Sequence, residues 1–195
     1  MTFSTLLTVI VGGIFIYALG VYNTLVTLRT RIQASIQEIG NQLKRQVELI
    51  PNLEESAKGY LKHEKDIIKT LADARKAVTE AVSSGDVDKM SQAGEKVANI
   101  LPQIRVVVES NPQIRGSEVV TRLMDELRDT SDKVMYSRRT LIDLTADYNI
   151  KLATFPSNLV ANTFGFRPEK GLATPVAGSH LEVTPEDTKT PQVKL

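Results

Sequence analysis

The chain has 195 residues, with 24 basic and 23 acidic side chains and a formal net charge of +1 at pH 7. It contains no cysteine, which excludes disulfides, thiolate nucleophiles and thiolate metal sites. The nearly balanced charge provides no strong positive field to hold nucleic acid, so we expect no nucleic-acid partner.

The first 28 residues contain no Lys, Arg, Asp or Glu. About 20 apolar residues are needed to cross a hydrocarbon core about 30 Å thick, so residues 1–28 are predicted to form one transmembrane anchor. The first charges that follow are basic, at Arg29 and Arg31. Because an excess of Lys and Arg marks the cytoplasmic side of a span, we predict a single-pass protein of the cell membrane, with its N-terminus outside and its body in the cytoplasm. A cleaved signal peptide is the alternative, since Ala18-Leu19-Gly20 offers small residues where a signal peptidase reads, but no basic region precedes the apolar run.

Beyond the anchor, apolar residues recur every three or four positions in four successive stripes. The stripes run through residues 25–50, 53–81, 87–108 and 120–155. This period is that of an α-helix with one apolar face, so the pattern predicts four amphipathic helices. Residues 83–86, Ser-Ser-Gly-Asp, favour a turn and are predicted to end the second helix.

Two prolines bear on the helix boundaries. Pro51 predicts a helix boundary or a sharp kink, because it disfavours the helical conformation at Ile50. Pro102 lies inside the third stripe and predicts a bend, or a split near Leu101. Ser117 precedes the fourth stripe and is a candidate N-cap.

Four amphipathic helices joined by short turns bury their stripes most economically as an antiparallel up-and-down four-helix bundle. The predicted fold is therefore all-α, with the N-terminal transmembrane helix, a helical bundle over residues 29–166 and a disordered C-terminal tail over residues 167–195. The tail contains four prolines and no periodic apolar pattern. Such a sequence cannot bury enough apolar surface to offset the entropy lost on ordering.

The bundle topology decides where the segment after the fourth helix lies. If the chain reverses at Pro51, the fourth helix ends at the bilayer surface, whereas a mere kink at Pro51 leaves that end far from the membrane. We hypothesise that the apolar side chains of this segment contact the membrane interface, where a short amphipathic segment lies flat. They are Phe155, Leu159, Val160, Phe164 and Phe166. The alternative, given equal weight, is that they cap the open end of the bundle.

Three separated stretches resemble the LemA family. They are QLKRQVELIPNL at positions 42–53, KGYLKHE at 58–64 and DYNIKLATFPSNLVANTFGF at 147–166. The resemblance covers roughly residues 21–168 and implies a membrane-anchored antiparallel four-helix bundle, with the N-terminus outside and the body inside. The family implies no catalytic residue, and relatives associated with organelle membranes in magnetic bacteria imply membrane organisation as one possible role.

Few residues invite a catalytic or metal-binding reading. His63 and Glu64 adjoin, but a zinc-protease helix needs a second His at position 67, which is Ile67. Glu64 lies on the apolar line of the second stripe, which is unusual for a solvated carboxylate. A structural role for Glu64 is favoured over a catalytic one, because catalytic acids usually lie beside other titratable groups that shift their pKa.

The Arg138-Arg139 pair is expected to form ion pairs with Asp143 and Asp147 on the surface of its own helix. An anion site at the two arginines is the alternative, since arginine recognises phosphate.

We therefore predict no catalytic residue, no cofactor site and no metal site. The favoured function is a membrane-anchored, non-enzymatic helical scaffold or adaptor. Its expected partners are the lipid bilayer and either other proteins or further copies of the chain, with no small-molecule substrate. The first alternative is a self-assembling membrane-organising protein that contacts lipid through residues 155–166. The second is a sensor or enzyme with a polar site near Glu64.

Overall fold

A computed structural model of the chain describes residues 3–57, 65–110 and 117–172. These residues form an all-α structure without a strand. The helices are α1 (Phe3–Ala57), α2 (Lys65–Ser84), α3 (Val87–Ser110), α4 (Glu118–Ala153) and α5 (Ser157–Thr163). The predicted fold class is confirmed.

One uninterrupted helix of 55 residues, α1, carries both the apolar N-terminal segment and the first amphipathic stripe. At 1.5 Å per residue it is roughly 80 Å long. Pro51 lies inside this helix, so the predicted helix boundary at Pro51 is wrong. The reason is burial: Ile50, Leu53 and Ala57 are each at most 2% exposed. Their transfer out of water offsets the backbone hydrogen bond that the proline removes.

The second proline is accommodated in the same way. The helix α3 continues through Pro102 from Val87 to Ser110 and is not split near Leu101. Ile100 and Ile104, which flank the proline, are both buried in the core. Burial on either side therefore holds the helix together across the missing hydrogen bond.

The other helix ends follow local sequence signals. Gly85 follows α2 and has a φ of +65°, a left-handed conformation that glycine adopts without steric cost. Asp86 Oδ1 accepts a hydrogen bond from the Lys89 backbone N–H at 3.0 Å and caps α3. Ser117 Oγ accepts from the Val120 N–H at 3.4 Å, which confirms Ser117 as the N-cap of α4.

The helix α3 runs parallel to α1. Gly40 lies beside Met90, and one turn further along both helices Leu43 lies beside Gly94. The helix α2 connects the far end of α1 to the start of α3 and packs against both. It therefore runs in the opposite direction.

The helix α4 runs antiparallel to α1 along most of its length. Gln46 is fully buried, and its Nε2 donates a hydrogen bond to Ser131 Oγ at 3.1 Å. Nearer the N-terminus of α1, Arg29 pairs with Glu169, which follows α4 in the chain, at 3.1 Å. The second half of α1 with α2, α3 and α4 thus forms the predicted up-and-down bundle.

These four helices enclose one apolar core. Its largest fully buried aliphatic side chains are Leu25, Ile39, Leu43, Ile50, Leu53, Leu71, Ile104, Leu127 and Leu141. The helices α3 and α4 approach closely at Gly94, where a Cβ atom would lie 2.6 Å from Val134 Cγ1. Gly94 is therefore required by packing rather than by backbone conformation.

Residues 167–172, predicted as the start of the disordered tail, belong to the fold. The Asn149 side chain forms two hydrogen bonds with the Glu169 backbone: Nδ2 donates to the carbonyl at 2.9 Å, and Oδ1 accepts from the N–H at 3.1 Å. The Tyr148 hydroxyl donates to the Arg167 carbonyl at 3.1 Å. Side chains of α4 thus provide the hydrogen-bond partners for the backbone of residues 167 and 169.

The same segment also reaches α3. Lys170 Nζ lies 2.7 Å from Asp88 Oδ2, and Leu172 is only 8% exposed. The predicted tail boundary at residue 167 is thus too early, and the remainder of the predicted tail, residues 173–195, lies outside the described residues.

Candidate membrane-contact site

The N-terminal part of α1 is an apolar helix that lies almost entirely outside the packed fold. Among the described residues, this one stretch is long and apolar enough to cross a membrane, and none of it is buried. Phe3 and Phe15, for example, are 83% and 63% exposed. An exposed apolar surface of this size marks contact with lipid or with another protein. Together with its length, it indicates a membrane localisation.

The bundle begins before the predicted anchor ends. Leu25 is fully buried, although it lies within the predicted anchor. The centroid of the Tyr22 ring lies 4.9 Å from that of Phe164 and 5.6 Å from that of Phe166. Tilted and edge-on ring pairs at these distances are favourable. The unpacked apolar segment of α1 therefore ends close to residue 21.

The five side chains predicted at the membrane interface divide into two groups. Phe155, Leu159 and Phe164 are 79%, 57% and 58% exposed. Val160 is half-buried, and Phe166 packs against the core. The first group therefore lies at the surface, although the Phe164 ring also packs against Tyr22, whereas Phe166 lies against the bundle.

All five lie beside the part of α1 where the apolar segment meets the bundle. This location agrees with the expectation for a chain that reverses at Pro51, but Pro51 does not reverse the chain. The segment thus lies beside the apolar part of α1 even though α1 continues through Pro51. The helix α1 ends at Ala57, and α2, which begins at Lys65, runs in the opposite direction, so that α4 still runs antiparallel to α1.

A cleft of about 540 Å³ lies between α1 and the junction of α4 with α5. We call it the junction cleft. It is lined by Tyr17, Gly20, Val21, Thr24, Ile150, Lys151, Thr154, Phe155 and Ser157. Of these residues, only Phe155 is among the contact residues predicted from the sequence. The others were missed because helical periodicity places residues on a face but does not show which distant helix opposes them.

A second concave surface of about 560 Å³ lies between α3 and α4, and we call it the α3–α4 groove. Its apolar lining includes Leu101, Val108, Met124 and Met135, and its charged lining includes Arg105, Glu109, Asp125 and Arg128. The charges are paired within each helix: Arg105 with Glu109 at 2.8 Å, and Arg128 with Asp125 at 3.5 Å. The groove thus combines an apolar surface with rim charges of both signs.

The predicted ion pairs along α4 are partly replaced by a bridge between helices. Arg138 is 15% exposed at its side chain and pairs with Glu95 of α3 at 2.5 Å. Its Nε atom is buried and has no hydrogen-bond partner among the described residues. Arg138 therefore joins α3 to α4 and is not part of an exposed anion site.

His63 and Glu64 lie outside the described residues, so the structure gives no account of the polar site predicted there. The described residues contain no group of three or more His, Asp or Glu side chains able to hold a metal ion.

A different carboxylate, Glu54, occupies an unusual position in the hollow between α1 and α2. Burial raises the pKa of Glu54, and nearby Arg75 only partly opposes this.

We expect the Glu54→Gln variant to be more stable than the parent chain at pH 7. A raised pKa in the folded state means that this site stabilises the fold below the carboxyl group's ordinary pKa, and that the contribution is lost as the pH rises through the folded-state pKa. Glutamine resembles the protonated acid, so the difference between the two chains should shrink as the pH falls towards 4. Chemical unfolding followed by circular dichroism at pH 4 and pH 7 measures this difference.

Glu48→Gln is the matched control, because Glu48 is an exposed carboxylate on the same helix. Its stability should stay within about 0.5 kcal/mol of the parent at both pH values. Equal stabilisation by both substitutions would show that the effect comes from the net charge and not from the burial of Glu54.

The comparisons with known proteins agree with this architecture. The model of the LemA family matches residues 35–190. The match therefore includes α2 to α5 and extends into the residues that the sequence analysis placed outside the resemblance. The chain is also 22% identical, over 188 residues, to the magnetosome protein MamQ of Magnetospirillum gryphiswaldense, covering 85% of this chain and 69% of that protein.

Proposed function

The chain belongs to the LemA family, and from this membership and its structure we propose that it is a membrane-anchored, non-enzymatic helical scaffold or adaptor. The observation that carries the proposal is the continuity of α1. One helix without a break contains both the fully exposed apolar segment and the first helix of the bundle. A bundle attached in this way is held at a fixed distance from the lipid, as a scaffold requires.

The bundle is proposed to lie on the cytoplasmic side, with the N-terminus outside. Arg29 and Arg31 follow the apolar segment, whereas no charged side chain precedes it. A single-pass helix orients itself by this asymmetry.

The α3–α4 groove is the proposed docking surface for a protein partner, specifically an amphipathic helix of another protein. Such a helix places its apolar face in a groove and its charged residues at the rim. Apolar Leu101 and Met135 line the groove, and the Arg105–Glu109 ion pair adds charges of both signs to the lining. Cross-linking in native membranes should yield heterologous products, whereas a ladder of homo-oligomers would contradict the adaptor role.

The anchoring is tested by membrane extraction of the full chain. The parent protein should remain in the membrane pellet after an alkaline carbonate wash and be released only by detergent. The Ile10→Arg, Ile14→Arg double variant should lose this retention, because each charge near the centre of a span costs about 2.5–3.5 kcal/mol. The Ile10→Leu, Ile14→Leu variant is the matched control and should behave like the parent.

The orientation is tested with single cysteines, which have no background in a cysteine-free chain. A membrane-impermeant maleimide added to intact cells should label Ser4→Cys and not Tyr136→Cys. Tyr136 is 73% exposed on α4, so failure to label it reflects shielding by the membrane and not burial. Release of the parent chain by carbonate would contradict the proposed anchoring. The reverse labelling pattern would contradict the proposed orientation.

A second candidate function is a self-assembling, membrane-organising role in which residues 155–166 contact lipid. The exposure of Phe155, Leu159 and Phe164 beside the apolar segment favours it, and the similarity to a magnetosome protein supports it. In liposomes, a nitroxide attached to Leu159→Cys should be accessible to oxygen and shielded from a water-soluble relaxation agent. A nitroxide at Tyr136→Cys should show the opposite accessibility. If both positions were accessible to the water-soluble agent, the proposed lipid contact of residues 155–166 would be contradicted.

A further inference from the structure

The apolar wall of the junction cleft contains a glycine, so no side chain fills the cleft at that point. Gly20 of α1 lines it, and a Cβ atom built at Gly20 would meet no atom within 4 Å. Tyr17, Ile150 and Phe155 surround this open space. The cleft therefore offers room for an apolar chain beside α1, at the height where the exposed apolar segment enters the bundle.

Three of the hydroxyl groups that line the cleft are already hydrogen-bonded to the backbone. The Thr24 hydroxyl donates to the Gly20 carbonyl at 2.8 Å, and the Thr154 hydroxyl donates to the Ile150 carbonyl at 2.9 Å. Ser157 Oγ lies 2.7 Å from the carbonyl oxygen of Lys151 and donates to the backbone. These hydroxyl hydrogens are therefore committed within the helices.

The Lys151 ammonium is the cationic donor of the cleft, whereas Tyr17, which also lines it, carries a neutral hydroxyl. Lys151 is the only charged side chain among the described residues that line the cleft, and no described residue forms an ion pair with it. Lys151 lies in the last turn of α4, where the helix dipole also favours a positive charge. The cleft thus has an apolar end at Gly20 and a cationic end at Lys151.

We propose that the junction cleft binds one anionic phospholipid molecule. Its phosphate accepts hydrogen bonds from the Lys151 ammonium, and one acyl chain lies over Gly20 between Tyr17 and Ile150. This inference rests on the proposed anchoring of α1 in the bilayer, which makes lipid the molecule that surrounds the cleft. The volume of about 540 Å³ falls in the usual range of ligand pockets, and basic pockets beside membrane helices bind anionic headgroups.

The proposal is tested on the full chain purified in detergent, by native mass spectrometry with phosphatidylglycerol and phosphatidylethanolamine added in turn. The parent chain should retain one phosphatidylglycerol molecule in preference to phosphatidylethanolamine. Lys151→Gln should lower this preference on the order of fivefold, because one lysine near an anionic lipid contributes about that factor. Gly20→Leu should lower the binding of both lipids, since the new side chain fills the apolar end.

Each variant has a matched control in the same chain. Gly13→Leu introduces the same side chain on α1 at a glycine that is equally open but lies outside the cleft. Lys96→Gln removes an exposed lysine from α3. Both controls should bind lipid like the parent.

The proposal is overturned if Gly13→Leu and Gly20→Leu weaken binding equally, or if Lys151→Gln leaves the lipid preference unchanged. Either result would assign the retained lipid to non-specific contact along α1. A chain that still resists carbonate extraction in that case keeps the proposed anchoring and loses only the lipid site. A chain that carbonate releases loses the anchoring itself.

Discussion

Replacing Tyr148 by alanine is expected to lower the free energy of unfolding by about 3–5 kcal/mol. Tyr148 is fully buried and is the largest such side chain among the described residues. It lies near the end of α4, at the level where the bundle meets the apolar segment of α1. Removing its ring opens a cavity that the surrounding helices cannot fill, and it also removes the hydrogen bond to Arg167. Urea unfolding of the detergent-solubilised chain, followed by circular dichroism, measures the loss.

Tyr148→Phe separates the two contributions. It keeps the ring and removes only the hydroxyl that donates to the Arg167 carbonyl. We expect a loss of about 1 kcal/mol, the usual net value of one hydrogen bond. If phenylalanine destabilised the chain as much as alanine, the hydrogen bond to residue 167 and not ring packing would hold this end of the bundle together.

The residues around Tyr148 also show which parts of the fold can be predicted from sequence. Its burial follows from the apolar stripe of the fourth helix, which has the helical period and continues for ten turns. The docking of residues 167–172 does not follow from any such pattern. It depends on Asn149, a polar residue whose side-chain amide matches the N–H and carbonyl of Glu169. The sequence alone does not show which backbone segment a single polar residue on a helix surface will hydrogen-bond.

The prolines illustrate a different limit. The local effect of Pro51 was correctly described, since it removes a backbone hydrogen bond and disfavours the helical conformation before it. That local cost was outweighed by the burial of Ile50 and Leu53 on the same helix face. The balance between the two depends on what packs against α1, so the sequence alone left a boundary or a kink open at Pro51, and the structure has no boundary there.

At the candidate site, the sequence points to one segment but does not show the surroundings of each of its residues. Phe155 and Leu159 are exposed, and Phe164 is 58% exposed although its ring also packs against Tyr22. Phe166 packs against Tyr22 and the core. A helix of seven residues, such as α5, has fewer than two full turns. Its apolar pattern is too short to fix which side faces the bundle, so only the tertiary contacts separate lipid-facing from bundle-facing side chains.

Gly94→Ala is expected to destabilise the bundle by about 1–3 kcal/mol, the cost of overpacking a filled core. The new methyl group would lie 2.6 Å from Val134 Cγ1, and Val134 is itself fully buried. Valine is stiff at χ1 and cannot turn aside within a helix, so α3 and α4 must move apart. For a chain of this size each kcal/mol lowers the midpoint of thermal unfolding by about 2–4 °C. Thermal unfolding in detergent, followed by circular dichroism, measures the shift.

Gly40→Ala provides the matched control, with the opposite sign. Gly40 also lies inside a helix, but a Cβ atom there would be 3.8 Å from Met90 Sδ, an ordinary contact with a flexible side chain. Alanine should therefore stabilise the chain by about 0.5–1 kcal/mol, since glycine loses more backbone entropy on folding. Adding Val134→Ala to Gly94→Ala should recover part of the lost stability, because it removes the methyl group that the new Cβ meets. If Gly94→Ala stabilised the chain as Gly40→Ala does, then α3 and α4 would not be as close as the packing at Gly94 requires.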